Sequence, residues 1–174
     1  LPPAIEAFLG TDLAIGTPAG FLNAEFFSWV TILLIVYAVT QGTGAIAGEE
    51  SSGTIDLLLA QPVHRSSVVL AKAAAAITGV ALIILIGYGG FLIPMLFVSM
   101  AGLSLWDVFV ACANMLPVTL FFFALSLWLG AVAPSRAYAS GAAIAVATAA
   151  YLIDSLAAGV ESISGVRYAS PFYY

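Results

Sequence analysis

The sequence predicts an all-α fold: a polytopic transmembrane bundle with about four spans. Three observations predict it. Hydrophobic residues make up 63% of the 174-residue chain and charged residues only 7%, against roughly 25% charge in a soluble domain. Mean hydropathy is +1.12. Apolar runs near the ~20 residues that cross a bilayer recur along the chain. Blocks such as ITGVALIILIG do not alternate apolar with polar, as the strands of a membrane barrel must.

Each span is read in order. Residues 1–23 form an extracytoplasmic segment, in which Thr17-Pro18 is a helix start: threonine caps and proline fits the first turn. The first span is residues 24–47. The second, 68–98, is 31 residues long, or ~46 Å as one helix against a ~30 Å hydrocarbon core. Tyr88-Gly89-Gly90 and Pro94 are expected to bend or break it near its far end. The third span, 106–132, contains Pro117, and the fourth is 138–158. Residues 159–174 return to the outer side. The chain lacks an initial Met and stops at PFYY without a closing span or polar tail. That suggests a fragment of a longer membrane protein.

Sidedness follows from cations near span ends. Arg65, Lys72 and Arg136 fall on the side of the first and third connections, and only Arg167 falls opposite. The positive-inside rule then puts 48–67 and 133–137 in the cytoplasm. The net charge of −5 mostly reflects acids assigned to the outer side: Glu6, Asp12, Glu25, Asp107, Asp154 and Glu161. It argues against a basic face for nucleic acid. The single Cys112 lies in an apolar run and reads as a small buried hydrophobe.

The first connection, GEESSGTIDLLLAQPVHR, holds the densest charge of the chain. Pro62 disfavours helix at Gln61. Gly53 and Thr54 are helix-start residues, and Asp56 in a first turn suits the helix dipole. Residues 54–60 therefore read as a helix of about two turns, with Ile55, Leu58 and Leu59 on one face. A helix that short is unstable alone in water. It packs on its own bundle, or lies on the lipid surface, or docks into a groove on a partner.

The order G-E-E-x-x-G-T-I-D-L-L-L-A-Q-P-V-H-R, with Lys72 seven residues on, resembles the signature of ABC-2-type permeases. These are membrane subunits of one class of ATP-binding-cassette exporters. The flanks TPAGFLNAEFFS and RYASPFYY resemble the antibiotic and multidrug exporter branch. Family members often carry Ser where His64 stands. The resemblance implies that 54–61 is a coupling helix seated in a cleft of a separate ATPase subunit. Gly53, Thr54, Asp56, Leu57 and Leu58 would belong to that contact. Glu49 and Glu50 would touch the partner or the permease's own cytoplasmic helices, and Pro62 and Arg65 would fix the return into the bilayer. Such permeases have six spans, of which this chain would hold the second to fifth. The resemblance also implies two permease chains, as a homodimer or related heterodimer, with ATP and Mg on the ATPase subunits and no cofactor in this chain.

Nothing in the chain looks like an engine. Its only lysine, Lys72, sits in LAKA, so there is no G-x-x-x-x-G-K-[ST]. One His and one Cys far apart are weak support for a metal. No G-x-S-x-G surrounds a serine.

Small residues mark helix contacts. Gly44 and Gly48 form a GxxxG, and Gly141, Ala145 and Ala149 lie four apart. They pack within one subunit or form the dimer interface, and the resemblance places both spans near the twofold axis. Gln41, Asn114, Thr119, Glu25 and Asp154 are polar groups at membrane depth or near the outer interface. Trp29, Trp106, Tyr168, Phe172, Tyr173 and Tyr174 read as interface anchors, and Lys72 as snorkelling to the headgroups.

The reading is an exporter permease in the plasma membrane that moves a hydrophobic or amphipathic substrate. The alternatives are a membrane scaffold or assembly subunit, and a proton-driven secondary transporter.

Overall fold

The computed structural model describes residues 20, 22, 26–53, 64–95, 97, 104–159, 168 and 170–172. Four long helices carry the fold: α1 (Ser28–Thr43), α2 (Arg65–Met95), α3 (Leu105–Val132) and α4 (Arg136–Gly159). All four are long and apolar enough to cross a membrane, α1 together with its continuation to Ser51. The expected all-α bundle of four spans is what forms.

α3 is the pillar of the bundle, in contact with the other three helices. Its buried residues Val108, Cys112, Met115, Val118, Thr119, Phe122, Phe123, Ser126 and Gly130 follow one another at three-and-four spacing along one side. Ile35, Ala38 and Val39 of α1, Ala76 of α2, and Ala143 and Ala147 of α4 close on Val118, Phe122 and Phe123 to form the main core. A smaller cluster at the other end joins Phe91, Val108 and Cys112, with Phe26, Phe27 and Tyr88 against it. The Phe26 and Phe91 rings meet edge to face at 4.4 Å.

The start of α3 is fixed by a capping box. Ser104 Oγ accepts from the Asp107 amide at 3.1 Å, and Asp107 Oδ2 accepts from the Ser104 amide at 3.0 Å. Two helix-end donors are thereby satisfied. Pro117 lies inside α3 without ending it. It removes one donor, that toward the Ala113 carbonyl. α2 also differs from expectation. It runs as helix through Tyr88-Gly89-Gly90 and stops only at Met95. Glycine keeps its amide, so each can still make the helical bond, and the end falls just past Pro94.

Span threonines satisfy themselves. The hydroxyls of Thr31, Thr40, Thr43, Thr78 and Thr119 donate to carbonyls four residues back, at 2.7–2.8 Å. That is how a hydroxyl lives in lipid without an external partner. Thr119, a polar candidate from sequence, is fully buried and bonded in this way to Met115 O.

α1 does not end at Thr43. Gly44–Gly48 widens into a π-helical turn, and Glu49–Ser51 adds a further α turn. The Ser52 amide donates to Gly48 O and the Gly53 amide to Glu50 O. Gly53 then adopts φ +70°, the left-handed region that only glycine enters freely. Gly53 therefore closes the preceding helix; the helix expected to start at Gly53 and Thr54 falls in 54–63, outside the described residues.

Candidate functional site at the loop end of the bundle

The loop-side ends of α1, α2 and α4 converge on a set of charged and polar residues. Glu49, in the last turn of the α1 continuation, forms a salt bridge to Lys72 of α2, and both side chains are about one quarter exposed. The pair spans 23 positions of sequence and joins the two helices on either side of residues 54–63. Lys72, expected to snorkel to the headgroups, pairs with Glu49. Glu50, one residue on, is exposed.

Arg136, the first residue of α4, reaches back to α1. Its guanidinium donates to Thr40 O at 3.4 Å and lies over both Gly44 and Gly48. A Cβ at Gly44 would meet it at 3.3 Å. The Gly44–Gly48 pair thus makes an intrachain seat for an arginine. Between these groups lies a cavity of about 370 Å³, lined by Tyr37, Thr40, Gln41, Lys72 and Arg136 among others. Gln41, a polar candidate from sequence, opens onto it.

Gly141, Ala145 and Ala149 are exposed on α4, and a Cβ at Gly141 would meet no atom within 4 Å. The inward side of α4 is a different stripe: Ala139, Ala143 and Ala147. Thr54, Asp56, Leu57, Leu58 and Pro62 lie outside the described residues, as do the Arg65 side chain and Glu25. Arg65 opens α2.

A second cavity, of about 400 Å³, lies between α1, α3 and α4 toward the opposite end. Asn114, Asp154, Thr31 and Tyr151 line it. Phe172 closes one side. It was expected as an interface anchor, yet its ring packs 5.7 Å from Phe122 and 5.8 Å from Tyr151. Ser170 Oγ donates to Ala150 O and accepts from the Phe172 amide, which pins this turn on α4. Among the described residues no three His, Cys, Asp or Glu side chains gather as metal ligands would.

Sequence reasoning missed four features: the Glu49–Lys72 clamp, the Arg136 seat, the left-handed turn at Gly53 and the Ser104–Asp107 box. The last has a local signature, Ser three residues before Asp ahead of an apolar run. The first two are tertiary and have none.

The four-span bundle agrees with a comparison against known families. The family model for ABC-2 family transporter proteins matches residues 4–166. The chain belongs to the ABC-2 transporter family. An ABC-2 chain is a multi-pass membrane transport subunit, not itself catalytic, and its family implies an association with an ATPase subunit. No curated protein and no solved structure matches the chain.

Proposed function

We propose that this ABC-2 chain is an exporter permease that moves a hydrophobic or amphipathic substrate across the cell membrane, driven by ATP and Mg on a partner subunit. Residues 54–61 are the coupling helix and face the cytoplasm. Two permease chains and two ATPase subunits make the working assembly. Closure of the ATPases displaces the coupling helices, and the spans open a path.

The Glu49–Lys72 clamp carries this reading. A two-turn loop helix can transmit force only if its two roots are tied to the spans. Glu49 lies just before the loop and Lys72 just after it, and their salt bridge joins those roots. The Arg136 contact over Gly44 and Gly48 extends the tie to α4. A push on 54–61 would then reach α1, α2 and α4 together.

The test is co-purification of the full-length protein with the ATPase subunit encoded beside it. Leu58→Asp, on the apolar face of the coupling helix, is expected to lower capture at least roughly tenfold, the effect of about 1.4 kcal/mol. Capture unchanged by the substitution would remove the coupling-helix assignment. No partner in either form would favour transport driven without ATP.

A further inference from the structure

The cavity beside Asn114 and Asp154 does not end at Tyr151. Ile32, Tyr151 and Phe172 line it, and the same three residues line a groove of about 210 Å³ between α1 and α4. The two spaces share a wall. Helix register continues it in both directions. On α1, Ser28, Thr31 and Ile32 of the cavity are followed at three-and-four spacing by Ile35, Val36 and Val39 of the groove. On α4, Asp154 and Tyr151 of the cavity are preceded in the same way by Thr148, Ala147 and Ile144 of the groove. One cleft therefore follows the α1–α4 seam for ~16 Å, at 1.5 Å per residue from Ser28 to Val39. Its ends differ: Asp154, Asn114, Ser28 and Thr31 line the one, and mostly aliphatic side chains line the other.

We propose that this cleft binds a cationic amphiphile, a primary or secondary ammonium head on one alkyl chain. The head lies between Asp154 and Asn114, and the chain lies in the α1–α4 groove.

Charge and hydrogen bonding favour this occupant. Among the described residues that line the cleft, Asp154 is the one charged side chain. A carboxylate offers about four acceptor sites, so it can accept from an ammonium besides any contact it already makes. Asn114 is exposed on α3, and its amide makes no hydrogen bond among the described residues. It lies ~14 Å along the helix from Leu105, where lipid offers no partner. Its carbonyl oxygen can accept from the same head. Phe27, Tyr151 and Phe172 line the cavity as well, and a cation is attracted to an aromatic face. An anionic amphiphile would meet the Asp154 carboxylate with like charge, and a neutral one would gain nothing from it. A cation without a chain would leave the groove unfilled.

A cationic amphiphile would be the substrate class of the exporter proposed above, and its transport rests on that reading; its binding needs only the membrane-embedded chain. Binding is therefore measured without ATPase subunit or nucleotide. The full-length protein in phosphatidylcholine nanodiscs is titrated calorimetrically at neutral pH with dodecylamine, dodecanol or chain-free ethylamine, against empty discs. Circular dichroism checks the helix content of each variant. The expected result is one dodecylamine per chain, bound roughly tenfold more tightly than dodecanol. Asp154→Asn should abolish that preference, and Asn114→Leu should weaken dodecylamine several-fold. Thr148→Trp, which fills the groove, should weaken both chain-bearing ligands. Equal binding of dodecylamine and dodecanol by the wild type would overturn the proposal. So would ethylamine binding as tightly as dodecylamine, because the site would then hold an ion and no chain. Wild-type affinities in Thr148→Trp would exclude the groove. Should Asp154→Asn fail to fold, the wild-type comparison of dodecylamine with dodecanol still decides. Selective binding by a protein that captures no ATPase would remove the exporter reading and leave this site standing.

Discussion

Two sets of small residues in this chain have opposite surroundings. Gly42, Ser126 and Gly130 lie where α1 crosses α3. A Cβ at Gly42 would sit 2.7 Å from Ser126 Cβ, 2.8 Å from Phe123 O and 2.9 Å from the Leu127 amide nitrogen. At Gly130 the nearest atom, Thr43 Cα, is 3.3 Å away. Gly141, Ala145 and Ala149 on α4 meet no such neighbour: all three are exposed, with only open space beside Gly141. Small residues allow a close approach in lipid, because packing there must come from contact and not from expulsion of water. They do not say which helix will make the approach. At α1–α3 the partner lies within the chain. The α4 stripe is available to another chain, and we propose that it is the face on which two permease subunits meet.

Substitutions at three positions would break or sharpen this comparison. The largest effect is expected at Gly42→Val. The new side chain would collide with α3 backbone, which cannot move aside as a side chain can. A loss of about 3 kcal/mol, the upper end of ordinary overpacking, is expected. Reversible unfolding in a mixed-detergent titration would measure it. An unchanged midpoint would mean that α1 and α3 do not cross here.

Ser126→Ala should move the same midpoint the other way. Ser126 is fully buried, and its hydroxyl has no hydrogen-bond partner among the described residues. Removing it leaves the Cβ contact with Gly42 and removes an unsatisfied group, for a gain of about 1 kcal/mol. A loss of stability would show that the hydroxyl is used.

The smallest effect on the single chain is expected at Gly141→Ala. No atom obstructs the new methyl, and alanine is the better helix former, so a gain of up to about 0.8 kcal/mol is expected in the isolated subunit. Energy transfer between differently labelled copies in liposomes tests the interface. If two chains meet on this stripe, Gly141→Leu should lower the transfer and Gly141→Ala should leave most of it. Transfer unaffected by leucine would put the contact elsewhere.

Legibility in the sequence followed the range of the physics involved. The spans were legible because hydropathy over about 20 residues is a sum over neighbours in the chain, and lipid leaves backbone no alternative to the helix. The end of α2 was half legible. Pro94 marked it, but the glycines at 89 and 90 did not break the helix, because they keep their amides. Gly53 was recognised as a boundary, but its closing of the preceding helix at positive φ was not, since the same residue type can open a helix or close one. The GxxxG at Gly44 and Gly48 was legible as a place of close approach, but not as a seat for Arg136, more than 85 positions away. Phe172 was read as an anchor on its residue type. Its ring contacts with Phe122 and Tyr151 have no signature in the sequence.

The sequence by itself determined the solvent, the helices, their approximate number and the family. Each of these rests on local composition or on one contiguous motif. Only the tertiary structure decided that α3 is the central pillar. It also decided that Glu49 closes on Lys72, that Arg136 lies over two glycines of α1, and that the inward stripe of α4 is Ala139, Ala143 and Ala147. The physical reason is degeneracy. In a helix as rich in alanine as α4, neighbouring stripes differ little in hydropathy or volume, so no periodicity singles one out. The choice is made by the shape of the helices it meets, and that shape exists only once the chain has folded.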